Sequence, residues 1–149
     1  SGAGLYYDSC VAYLLNVYIS HNIAETKGGG INGLYTTFEM INILVEDNIA
    51  GTAGGGISFL GSTVGMISSM ISNNNVTNGG GGGVNIGSAS DVTMQEITIS
   101  NNYASINGGG LNIEGTNQLI QCQIKENQAL YGGGIYINNG NFKDSYSNI

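Results

Sequence analysis

Arginine, proline and tryptophan are absent from the 149 residues. Positive charge is confined to Lys27, Lys125 and Lys143, and ten acids leave a formal net charge of −7. That balance excludes a nucleic-acid partner, because phosphates are neutralised by a basic face. Charged residues of both signs reach only 9%, well below the usual ~25%. No apolar run approaches the ~18–20 residues of a membrane-crossing helix, so no transmembrane segment is expected in this chain. The opening SGAGLYYDS lacks the basic start and apolar run of a signal peptide. There is no initiator Met, which suggests a processed product or a fragment. Cysteine is scarce too, since Cys10 and Cys122 are too few for a disulfide framework.

Glycine is abundant instead, at 26 residues. High glycine without proline points to low complexity or to a repeat, and a fixed period separates the two. GAGL starts at Gly2, GGGI at Gly28, GGGI at Gly54, GGGV at Gly81, GGGL at Gly108 and GGGI at Gly132. The steps are 26, 26, 27, 27 and 24 residues. A second landmark, [I/V]-x-x-N-x-[A/V], keeps the same beat with Asn22, Asn48, Asn74, Asn102 and Asn127. Between the landmarks apolar residues alternate, as in Val84-Asn85-Ile86, Leu111-Asn112-Ile113, Val17-Tyr18-Ile19 and Ile97-Thr98-Ile99. Period-two alternation marks short strands with one buried face. No stretch of ten or more residues has helical spacing and caps.

Two to three short strands in about 26 residues cannot close a core alone, but stacked repeats can. The expected fold is therefore all-β, a parallel β-helix of nearly six coils whose equivalent strands pair ~4.8 Å apart. Residues 1–149 form one domain, read as a segment of a longer solenoid or as a stacking fibre unit. Apolar columns become inward ladders, for example Leu5, Ile31, Ile57, Val84, Leu111 and Ile135. The asparagines stack where the chain turns, bonding from coil to coil and tolerating left-handed angles. Gly79 and Gly80 in NGGGGGV read as a two-residue loop insertion at a corner.

The paired motifs Ile19-Ser20-His21-Asn22 and Gly54-Gly55-Gly56-Ile57 resemble right-handed parallel β-helix repeats of the pectate-lyase-like superfamily. They are most similar to the FxxN and GGA[I/L/V] repeats of polymorphic membrane proteins and autotransporter-type adhesins. Ile or Val here replaces Phe, and Gly replaces the third small residue. The resemblance spans the chain and implies a right-handed coil and an extracellular, surface or secreted location.

The superfamily also contains polysaccharide lyases and glycosidases, which need carboxylates gathered on one face. The acids here are dispersed. Glu46 and Asp47 are neighbours, and Glu126 shares the Asp47 column three coils away. No arginine is available as a lyase base. His21 reads as a polar turn residue in the column His21, Asp47, Asn73, Asn101 and Glu126. No His/Cys set has zinc spacing, no GGxGxD calcium pattern occurs, and the five glycines are not followed by Lys-Ser/Thr. No catalytic residue, metal site or cofactor is expected. Cys122 reads as a buried thiol and Cys10 as an exposed one able to bond between chains. Asn75-Val76-Thr77 is the only N-glycosylation sequon.

One outward column is apolar: Tyr18, Leu44 and Met70, followed by Thr98 and Gln123. Tyr6, Tyr7 and Tyr13 are expected to add aromatic surface at the same end. Such stripes mark contacts, so the expected partners are other copies of the chain, flanking coils or surface glycans. Open strand edges at both ends would suit end-to-end stacking. The function expected is an extracellular stalk, adhesin or fibre subunit without catalysis. The alternative is a carbohydrate-active β-helix enzyme or a polysaccharide-binding module. An ice-binding face is set aside because the nine threonines do not align in one column.

Overall fold

The computed structural model describes residues 3–149 as four parallel sheets that wind around one axis. The second coil shows the plan. Its strands Ile31–Leu34, Thr37–Ile41, Leu44–Glu46 and Ile49–Ala50 lie in sheets A, B, C and D. Sheets A and B have six strands each, sheet C five and sheet D four. Every pairing between named strands joins one coil to the next in parallel, so the chain is a β-helix of five turns and part of a sixth. Each coil carries four sides rather than the two or three strands read from alternation. The fourth is a two-residue strand, too short to show a period.

The inward columns make the core. Leu5 pairs with Ile31, Ile31 with Ile57, Ile57 with Val84, Val84 with Leu111 and Leu111 with Ile135. The middle members are fully enclosed, as are Met40, Met66 and Met94 in sheet B and Val45, Ile71 and Ile99 in sheet C. Each such side chain contributes ~1.5–3 kcal/mol by leaving water. Sheet D is lined by the small buried column Ala24, Ala50, Val76 and Ala104, of which Ala50, Val76 and Ala104 form their own cluster with the partly buried Ala129 packed against it. Tyr7 belongs to the core as well, contrary to the expectation of surface aromatics. It is half-buried and its ring meets Phe38 edge-on at 5.2 Å.

One residue in the left-handed region marks each corner among the described residues, except the A–B corner of the fifth coil, where neither Glu114 nor Gly115 takes a positive φ. At the A–B corner these are Ser9, Tyr35, Gly61, Ala89 and Asn139. At the B–C corner they are Asn16, Asn42, Ser68, Glu96, Gln121 and Tyr146. At the C–D corner they are His21, Asp47, Asn73, Asn101 and Glu126, with φ between 55° and 57°. The ladder asparagines therefore do not take the left-handed angle themselves. The residue before each one does, which turns the asparagine inward.

The glycine triplet closes the coil. Gly54 is left-handed at φ 62°, and a Cβ on Gly55 would stand 2.5 Å from the Gly82 carbonyl oxygen of the next coil. The five-glycine stretch is regular, but its insertion is one residue and not two. Gly80 pairs with Ala53 and Asn107, in register with Lys27 and Tyr131. Asn75 to Gly80 is one residue longer than Ile49 to Ala53. The fourth coil gains another at its A–B corner, between Val84 and Asp91.

Candidate functional site

The asparagines form one continuous hydrogen-bonded ladder. The Asn22 backbone N–H and side-chain Nδ2 both donate to Asn48 Oδ1 at 3.0 Å. Asn48 donates likewise to Asn74 Oδ1 at 3.0 and 3.1 Å, Asn74 to Asn102 at 2.9 and 3.0 Å, and Asn102 to Asn127 at 2.9 and 3.0 Å. Nδ2 also reaches a carbonyl of the preceding coil, Ile19 from Asn48, Val45 from Asn74, Ile71 from Asn102 and Ile99 from Asn127. Asn48, Asn74 and Asn102 are buried, and full pairing is what allows that. A corner N–H cannot join the strand ladder, so an inward side-chain oxygen accepts it.

The same device recurs at the other corners, where no motif announces it. At the A–B corner the Thr36 N–H donates to Ser62 Oγ and the Ser62 N–H to Ser90 Oγ, at 3.2 and 3.3 Å. At the B–C corner the Ile43 N–H donates to Ser69 Oγ and the Cys122 N–H to Ser147 Oγ, both at 3.0 Å. All follow a left-handed residue. A small hydroxyl residue every ~26 positions was the available signal, but Ile43, Ile97 and Cys122 interrupt it. Cys122 is a free thiol, buried, with Sγ donating to the Met94 carbonyl. Cys10 is free and exposed, with Sγ 3.7 Å from Thr36 Oγ1.

The column Tyr18, Leu44, Met70, Thr98 and Gln123 lies on the outer face of sheet C. Tyr18 and Met70 are exposed and Leu44 half-buried. The Tyr18 hydroxyl donates to Glu46 Oε1 at 2.7 Å. A shallow trough runs beside this column, walled by Asn16, Asn42, Ser68 and Glu96. Asn42 Nδ2 donates to Asn16 Oδ1 at 2.7 Å along that wall, and Ser68 Oγ to Glu96 Oε2 at 3.1 Å.

A second groove lies outside sheet A, and alternation did not reveal it. Asn32, Ser58, Asn85 and Asn112 point outward, yet each is over nine-tenths buried. The D-to-A corner runs alongside and hides them. Lys27, Thr52 and Ala53 form one wall, and Leu60, Gly87 and Glu114 line the remainder. Asn112 Nδ2 donates to Asn85 Oδ1 at 2.8 Å, and Asn85 Nδ2 approaches Ser58 Oγ at 3.5 Å. The enclosed Asn32 Oδ1 has no partner.

The titratable groups stay apart. His21 Nε2 is 4.0 Å from Asp47 Oδ2 on an exposed corner. Among the described residues no group of three or more His, Cys, Asp or Glu could hold a metal ion. No helix among them is long and apolar enough to cross a membrane. Asn75 sits half-buried on the outer face of sheet D, between Ile49 and Tyr103, with Oδ1 enclosed and unpaired. Three of the nine threonines, Thr37, Thr63 and Thr116, share an outer column of sheet B, but Asp91 interrupts it and the other six lie elsewhere.

No family model matches the chain, and no curated protein or solved structure matches it either. The parallel β-helix is thus the level at which the structure places it.

Proposed function

We propose that the chain is a non-catalytic, extracellular β-helix that serves as a stalk, adhesin or fibre subunit. The observation that carries this reading is the Asn ladder. It ties five successive coils at one corner with paired amides and spends no polar group on a reaction centre. The acids support it, because Asp47 and Glu126 stand at one corner three coils apart, ~14 Å by the strand spacing. The surface location rests on the likeness of the IxxN and GGG[I/V/L] repeats to those of autotransporter-type adhesins. In that setting the Tyr18, Leu44 and Met70 stripe meets a flanking coil or another copy, and Asn75 is a glycan acceptor only in a secretory pathway.

The test is where the native protein sits. Protease shaving of intact source cells should remove it, and electron microscopy should show it in a surface spike or filament. A protein recovered only from the cell interior would overturn the reading.

A second reading, a polysaccharide-binding or carbohydrate-active module, is favoured by the amide-floored groove outside sheet A. Asn85 and Asn112 present donors and acceptors there, with Lys27 and Glu114 among the lining residues. A polysaccharide screen separates the two readings. Depolymerisation abolished by Glu46→Gln or Asp47→Asn, or binding abolished by Asn112→Leu, would favour the module over the structural subunit.

A further inference from the structure

The outer face of sheet B changes character along the axis. In the first three coils it presents Val11, Tyr13 and Leu15, then Thr37, Glu39 and Ile41, then Thr63, Gly65 and Ile67. The fourth coil presents Asp91, Thr93 and Gln95. The apolar members of the first three coils, Val11, Tyr13, Leu15, Ile41 and Ile67, are between 41% and 72% exposed. Together they leave on the order of 500 Å² of apolar surface, at the upper end of the roughly 300–600 Å² of the largest patch on a monomer. Tyr35 at the A–B rim, also exposed, brings the total to roughly 650 Å². That is within the roughly 600–1,000 Å² that one partner contributes to a standard interface. Glu39 is the only charged member of the nine residues.

We propose that this face is an interface between two copies of the chain, packed sheet on sheet about a two-fold axis at the level of Glu39. The relief of the face selects a second copy. Tyr13 is the tallest member of its column and Gly65, two coils away, has no side chain. A Cβ built on Gly65 meets nothing within 4 Å, so the space above it is open. A two-fold axis parallel to the strands at Glu39 exchanges the first and third coils. It sets Tyr13 of each copy over the partner's Gly65, Leu15 against the partner's Ile67, and Ile41 against its own counterpart. A self-complementary patch of this kind is what a two-fold interface requires, and face-to-face sheets pack ~10 Å apart. The arrangement also juxtaposes the two Glu39 carboxylates, and opposed like charges weaken a pair. Each copy carries a net charge of −7, so salt strengthens the dimer. The interface is a property of the purified chain and stands or falls independently of where the protein is displayed.

Sedimentation equilibrium on the 15.4 kDa chain tests it. The parent should show a concentration-dependent dimer that tightens with added salt. Gly65→Lys should abolish association, and Tyr13→Ser should weaken it at least tenfold. Glu39→Gln should tighten it several-fold. Gln118→Lys, in the same column but in the fifth coil, should leave it unchanged. If Gly65→Lys does not fold, the Tyr13 and Glu39 variants decide. A parent that stays monomeric to millimolar concentration overturns the proposal and leaves the face to a different partner. So does a dimer indifferent to Tyr13→Ser and Gly65→Lys.

Discussion

At Asn74 one side chain holds three coils together. Its Oδ1 accepts the Asn48 N–H and amide, and its Nδ2 reaches both Val45 and Asn102. Asn74→Leu therefore strands the buried Asn48 N–H and also removes the side-chain bonds to the Asn48 amide, the Val45 carbonyl and Asn102 Oδ1, the last of which keeps the Asn74 N–H. A stranded buried group costs ~1–3 kcal/mol and each further lost bond ~0.5–1.5 kcal/mol. The loss should be about 3 kcal/mol or more, seen as a lower urea midpoint with the same slope. Asn117 is the opposite case. It points into the core of sheet B in the column of Phe38, Val64 and Val92, fully buried, with Oδ1 unpaired. Asn117→Val should raise stability by about 1 kcal/mol, read as a melting temperature higher by ~2–4 °C. The asparagine motif announced the first residue. Nothing announced the second, because Thr116-Asn117-Gln118 carries no apolar alternation to mark a strand face.

Single elements show the same division. Strand Ile31–Leu34 has Gly33 where other coils carry Tyr7, Phe59 or Ile86. The gap is filled from sheet B, because a Cβ on Gly33 would stand 2.3 Å from Phe38 Cε2. Phe38 then packs between Tyr7 and Phe59, with ring centroids 5.2 and 5.4 Å away. Alternation fixes that both positions face inward, but only the packed coil shows that they form one complementary pair. Glycines divide likewise by what surrounds them. Gly55→Ala drives a methyl group into the Gly82 carbonyl and the Asn75 backbone, a backbone collision that side-chain motion cannot relieve. Gly65→Ala meets open space and removes a flexible residue from a strand. The first variant should lose several kcal/mol, while the second should be neutral or gain ~0.5–1 kcal/mol. Thermal melts of the pair side by side check both signs.

For the whole molecule the repeat itself is the testable unit. Excision of residues 31–56 removes one complete coil and joins Gly30 to Ile57, the same junction type as Gly56 to Ile57. The cut takes Gly33 and Phe38 out together and brings Asn22 into register with Asn74. A solenoid of nearest-neighbour contacts tolerates such a loss. The shortened chain should fold with a parent-like far-UV circular dichroism spectrum and a lower melting temperature. Excision of residues 31–43 shifts sheets and corners out of register and should leave the chain unfolded.

The period, the inward columns and the positions of the ladder asparagines are written in the sequence, because stacking repeats each local choice every ~26 residues. Repetition turns a weak local preference into a visible column. The left-handed corners are not visible in that way. The turn needs only one residue of suitable φ, and His21, Asp47, Asn73, Asn101 and Glu126 all supply it. The buried outer face of sheet A is likewise decided by the tertiary structure. Asn32, Ser58, Asn85 and Asn112 alternate like solvent-facing residues, and they are hidden because the D-to-A corner runs beside them. The relief of sheet B is of the same kind. Tyr13 and Gly65 lie 52 residues apart in the chain, and only the coil spacing places them two strands apart on one exposed face.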